Sequence, residues 1–256
     1  MSRSKPRTKA KGDPASPSTP LSHAGDRAYP PPMTARFFRR DISWTDYRAA
    51  IDLVPPPGID APEAEYNIAP SQHAPILRRA PEGEYAPRHA IQIAPAFWGL
   101  VPVWWKQPLS EKKFSTFNAR AETLADSATF SGAFRQNRCL VPASGFYAWS
   151  DGVPFAFAPA RGKWFCFAGL WSRAMIDGSE FDTFAIITTE PNLAVAGIAT
   201  SMPVILSPQH YTRWLDVQAR DPHALLKPCP SDALRCWPAN PAVGNVRNQG
   251  QELLGE

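Results

Sequence analysis

Hydrophobic and polar positions divide this chain near residue 33. Residues 1–32 are rich in Pro, Ser, Lys and Arg and hold almost no large apolar side chain before Tyr29. Such a stretch cannot bury enough surface to offset the cost of ordering its backbone, so it predicts a disordered tail, or an extension upstream of a start at Met33. From Met33 the pattern changes. Met33–Arg39 is short and mostly apolar, and Ser43-x-x-Asp46 has the form of a capping box opening a helix through about Leu53. Pro55-Pro56-Pro57-Gly58 ends it, and a loop carrying Tyr66-Asn67-Ile68-Ala69-Pro70 comes next. Short apolar runs predict strands at His73–Arg78 and Ala90–Trp98, and Ser127 is placed to cap a helix to about Asn137. A dense succession of apolar and aromatic segments then predicts strands at Arg138–Pro142, Gly145–Trp149, Pro154–Ala158, Lys163–Trp171 and Thr183–Thr188. Glu190–Ile198 reads as a short helix, Met202–Leu206 as a strand, and Ser207-Pro208 as the start of a helix to about Asp216. Strands outnumber helices and do not alternate regularly with them. The expected class is α+β, one domain over 33–256 with a curved, barrel-like mixed sheet flanked by helices.

Charge changes this picture little. The formal net charge is +4, but residues 1–32 carry six bases and two acids, which is the whole excess. The remainder sums to zero, so a nucleic-acid site in the folded part must be a local patch. The four cysteines (Cys139, Cys166, Cys229, Cys236) form no CxxC pair and no zinc spacing with histidine, and read as reduced thiols. No metal or other cofactor is expected. No run approaches the roughly 18 apolar residues of a membrane span, and the basic N-terminus lacks a signal-peptide core. The expected location is cytoplasmic, on the nucleoid in a bacterial cell, with no membrane partner.

Three segments are unusually dense in special residues: Trp98-Gly99-Leu100-Val101-Pro102-x-Trp104-Trp105, Phe117-Asn118-Ala119-Arg120-Ala121-Glu122-Thr123, and Arg138-Cys139-Leu140-Val141-Pro142-Ala143-x-Gly145-Phe146-Tyr147-Ala148-Trp149. With Met202-Pro203-Val204-Ile205-Leu206, the Tyr66–Pro70 loop and Asn245-Val246-Arg247-Asn248, they resemble, in order, the landmarks of the SOS response-associated peptidase family. The resemblance covers about Met33 to Leu254. It implies a single α+β domain with a groove for single-stranded DNA and a metal-free reaction at abasic sites. There an exposed N-terminal cysteine amine condenses with the ring-opened aldehyde and its thiol closes a thiazolidine, assisted by Asn, Glu and His.

Against that pattern this sequence departs at most of the reactive positions. Met33-Thr34-Ala35-Arg36-Phe37 stands where the family begins Met-Cys-Gly-Arg-Phe, so Thr34 replaces the cysteine. Ala148 occupies the glutamate position, Ala199 the histidine position and Ser201 an arginine position, while Asn118 is retained. A threonine hydroxyl is a far weaker nucleophile than a thiolate, and methyl groups at 148 and 199 move no protons. Thr34 and Asn118 are the catalytic candidates. Only a chain beginning at Thr34 would present an amine there, able to form a reversible imine. The resemblance also assigns DNA contacts to Arg36, Trp98, Pro102, Arg120, Arg138, Trp149, Met202 and Pro203. Arginine for phosphate and aromatic rings for unstacked bases are what single-strand binding needs. Trp104 reads as core.

The resulting expectation is a monomer that binds single-stranded DNA, including abasic-site DNA, with crosslinking chemistry weakened or lost. Two alternatives stand beside it: an active enzyme using the Thr34 amine, and a protein-interaction module on the same fold. Nothing places a Ser or Cys nucleophile beside a histidine, so general proteolysis is not expected.

Overall fold

The computed structural model describes residues 35–80, 90–111, 115–176 and 178–256. Thr34 and the basic segment before it therefore lie outside the described residues. The described residues from Ala35 to Glu256 fall in one unit.

Five long segments with strand-forming composition close on one another. They are β3 (His73–Arg79), β4 (Ile91–Trp98), β6 (Arg138–Ala143), β9 (Phe165–Ile176) and β10 (Ser179–Thr189). β4 pairs antiparallel with β3, β3 with β6, β6 with β9 and β9 with β10. A short parallel contact from β10 back to β4, Phe184 against Trp98, closes the ring. The result is the expected α+β fold, with a mixed sheet curled into a barrel.

A five-stranded barrel is narrow, and side-chain alternation fills it. Ala74, Ile76, Ala94, Ala96, Trp98, Cys139, Val141, Phe167, Phe184 and Ile186 form the inner cluster. At Gly169 an added Cβ would lie 2.8 Å from Cys139 Sγ, so only glycine fits. The intervening outward residues, among them Leu77, Leu140, Ala168, Leu170 and Ile187, pack under three short helices: α1 (Trp44–Ala50), α2 (Ser131–Gln136) and α3 (Tyr211–Leu215).

A second sheet lies over one end of the barrel. Its strands are β1 (Phe37–Arg39), β2 (Glu65–Ile68), β7 (Gly145–Ser150), β8 (Val153–Pro159) and β13 (Leu234–Pro238), in the order β13-β8-β7-β1-β2. Phe37, Phe146, Ala148 and Phe157 face the barrel cluster, while Phe38, Tyr147 and Ala156 face the C-terminal segment through Leu253 and Leu254. The edge strand β2 is sealed by a side chain: Gln249 accepts from the backbone N–H of Tyr66 and Asn67 and donates to the Asn67 carbonyl. At the other mouth of the barrel, Asp182 binds Arg78 at 2.8 Å and Arg173 at 2.9 Å, and Arg78 stacks 4.6 Å from the Trp171 ring.

Several expectations shift. The helix expected at Glu190–Ile198 is absent: residues 190–192 are irregular and 193–198 form turns. The run expected as one strand at Met202–Leu206 is two bridges, β11 (Met202–Pro203) on β10 and β12 (Ile205–Leu206) on β9, because Val204 passes between them and bonds to both neighbours. The helix after Ser127 begins only at Ser131, preceded by turns. Three strands have no counterpart in the sequence pattern: β2, β13 and β5 (Asn118–Arg120), each short and stabilised by its partner strand.

Candidate functional site

The C-terminal end of β10 gathers the retained motif residues. β5 runs parallel to it, with Asn118 beside Ile186 and Arg120 beside Thr188, while β11 sets Pro203 beside Thr188 and Met202 beside Thr189. Asn118, Arg120, Met202 and Pro203 are thus brought together by one strand. Arg120 is exposed and Asn118 half-buried, whereas Met202 is fully buried and its sulfur accepts the Asn192 N–H at 3.3 Å.

The family-motif positions on the second sheet reach the same region from the other side. β1 and β7 pair as Phe37↔Phe146 and Phe38↔Gly145, and the Arg36 carbonyl accepts the Tyr147 N–H at 3.1 Å. Continuing that register sets Ala35 opposite Ala148. Ala148, Trp98 and Met202 belong to the barrel-end cluster, and Ala199 and Phe117 pack against it. At the two positions where the family resemblance calls for a carboxylate and an imidazole, Ala148 is thus buried within the apolar cluster and Ala199 packs against it. Arg36 is half-buried, donates to the Ala35 carbonyl at 2.7 Å, and has its pKa lowered by burial. Its Nε has no hydrogen-bond partner.

Burial reverses the assignments of two tryptophans. Trp98, expected at the DNA surface, is fully buried: it stacks on Phe184 and donates its indole N–H to the Phe117 carbonyl at 2.8 Å. It thereby holds the strand that carries Asn118. Trp104, read as core, is 53% exposed, as is its neighbour Val103 at 62%, and its indole N–H bonds the Ala128 carbonyl at 3.2 Å. Composition could not separate the two; the strand ends at Trp98, and Trp104 lies on the loop beyond. Pro102 is buried and lines a small cleft with Trp104, Gly132 and Gln136.

Two further expected contacts lie apart from this group. Arg138 is 3% exposed, and its guanidinium donates to the carbonyls of Phe134 at 2.9 Å, Trp214 at 2.7 Å and Asp216. It satisfies the carbonyl ends of α2 and α3, a structural use of the charge, and burial lowers its pKa. Trp149 is half-buried on the sheet face opposite Ala148, near Tyr147 and the C-terminal segment, because successive residues of a strand point to opposite sides.

Among the residues flanking Ala148, Ser144 is buried and accepts the Arg40 N–H, and Asp151 forms the left-handed turn with Gly152 that joins β7 to β8. Cys229 packs against the same cluster, but burial pushes its thiol up to about 11. The described residues contain no group of three or more His, Cys, Asp or Glu that could hold a metal ion. No described helix is long and apolar enough to cross a membrane.

Known proteins resemble this chain. The abasic site processing protein YoqW of Bacillus subtilis is 33% identical over 206 residues, covering 75% of this chain and 88% of its own. The abasic site processing protein YedK of Escherichia coli is 28% identical over 201 residues, covering 75% and 85%. The crystal structure of a Bordetella bronchiseptica protein superimposes with a TM-score of 0.68 at 26% identity, covering 80% of this chain and 99% of that one. The family model described as SOS response associated peptidase (SRAP) matches residues 33–246, and the chain belongs to that family.

Proposed function

We propose that this chain recognises abasic sites in single-stranded DNA and has lost the durable covalent chemistry. The observation that carries the reading is the pair Ala148 and Ala199 on one apolar cluster at the barrel end, where the family resemblance calls for proton-transfer groups. The names of the relatives support an association with abasic DNA. Exposed Arg120 and half-exposed Trp104 suit phosphate and an unstacked base. Half-buried Arg36, with no carboxylate bonded to it among the described residues, suits a second phosphate.

Binding to single-stranded DNA carrying one abasic site should fall steeply with salt. Trp104→Ala should weaken it by about 1–3 kcal/mol through lost stacking, and Arg120→Ala should lower the salt slope. Full-length protein and protein beginning at Thr34, each mixed with that DNA and run on denaturing gels, should give no adduct without reduction. A borohydride-dependent adduct from the Thr34-start form alone would replace this reading with an enzyme working through the Thr34 amine. Absence of DNA binding at low salt would remove both.

A further inference from the structure

A cavity of about 670 Å³ opens beside α1, lined by none of the residues assigned to DNA. Its size falls in the range of roughly 300–1,000 Å³ typical of binding pockets. One wall is Pro75, Ile93 and Pro95 on β3 and β4; the other is Trp44 with Pro56, Ile59 and Pro62 from the loop before β2. The walls are fixed. Trp44 donates its indole N–H to the Ile59 carbonyl at 2.9 Å, and Arg39 donates to the Pro62 carbonyl at 2.9 Å and to Glu65 at 2.8 Å. Ile59 is 60% exposed although it lines the cavity, so an apolar side chain waits there for a partner.

The charges are one-sided. Asp60, Glu63 and Glu65 line the cavity, and Asp60 and Glu63 are exposed, with no bonded cation among the described residues. Arg39 is the single Lys or Arg in the lining, and Glu65 already binds it. Arg39 is 1% exposed, so it holds the wall from inside and offers the cavity no free cation. Excess carboxylate rules against nucleic acid as the occupant and favours a cation with an apolar stem.

We propose that this cavity docks a basic polypeptide segment of a partner protein. An arginine or lysine of that segment meets Asp60 and Glu63, and its stem and an apolar neighbour cover Trp44 and Ile59. Stacking of guanidinium or ammonium on the Trp44 face adds to the contact, and the prolines keep the walls open without backbone donors to satisfy.

The test uses the full chain and two acetylated, amidated tetrapeptides, Arg-Pro-Leu-Arg and Glu-Pro-Leu-Glu, titrated by calorimetry. The basic peptide should bind, more weakly as salt rises, and the acidic one should not. The double variant Asp60→Asn/Glu63→Gln leaves the Arg39–Glu65 pair intact and should lower affinity about tenfold or more. Ile59→Ser should lower it as well. An unchanged thermal midpoint in both variants separates lost docking from lost folding. No binding of the basic peptide at millimolar concentration, equal binding of both peptides, or equal binding by the double variant would overturn the proposal. Equal binding of arginine amide would overturn a polypeptide occupant. Single-stranded DNA affinity should not change in the double variant, so this test and the DNA reading fail separately.

Discussion

Arg138 and Trp98 illustrate how a residue type can carry two opposite meanings. Arginine and tryptophan are what a nucleic-acid groove needs, and they are also what ties a helix end or fills a barrel. Here the guanidinium of Arg138 goes to three backbone carbonyls, and the Trp98 indole holds Phe117. Glycines in the same motifs are explained by space. A Cβ on Gly145 would run into the Phe157 carbonyl and the Phe38 ring. Gly145→Ala should therefore destabilise the protein by about 1–3 kcal/mol, read as a lower urea midpoint. The thiols are set by burial too. With Cys229 pushed up to about 11, its thiolate fraction at pH 8 is about one in a thousand. Alkylation should reach exposed Cys236 first and Cys229 slowly, and the buried Cys139 and Cys166 only on unfolding. Rapid labelling of Cys229 in the native protein would contradict the packing described.

Among the elements, α1 shows a local signal that holds and a boundary that moves. Ser43 Oγ accepts the Asp46 N–H at 3.2 Å, and Asp46 accepts the Ser43 N–H at 2.9 Å, the reciprocal bonds of a capping box. The helix stops at Ala50, short of the expected end at Leu53, because Ile51 turns extended and Leu53 bridges to Ile91 of β4. Ser43→Ala should cost about 1 kcal/mol, seen in thermal unfolding. Hydrogen bonds from Ser43 hold the Asp46 carboxyl below its usual range. Its contribution is thus present above the unfolded-state pKa and is lost as pH falls through the folded one, so the gap between wild type and Ser43→Ala should narrow in acid. Motif segments were legible because turns and caps are local. β2, β5 and β13 were not, since three to five residues gain strand geometry only from a neighbour already in place.

For the whole molecule, the closed barrel has two unlike ends. One carries the gathered motif residues under the second sheet, and the other is plugged by Arg78, Asp182 and Arg173. Arg78 is 3% exposed and pairs with Asp182 at 2.8 Å. Asp182→Asn should cost about 3–5 kcal/mol because it breaks a buried ion pair. Glu256→Gln, which loosens the more exposed pairs to Arg40 and Arg235, should cost no more than about 1 kcal/mol. Urea unfolding of the two variants side by side checks the contrast.

By itself the sequence determined the class of fold, most long strands, the capping box, the family and the alanines at 148 and 199. These rest on local pattern and on which atoms a side chain possesses, and no packing can give Ala148 a carboxylate. Tertiary structure alone decided which tryptophan is exposed, that Arg138 is spent on helix ends, and that Ala148 and Trp149 face opposite ways. It also decided that an acidic, apolar cavity lies beside α1. Those outcomes depend on ring closure and on contacts between residues far apart in the chain, and a linear pattern does not contain them.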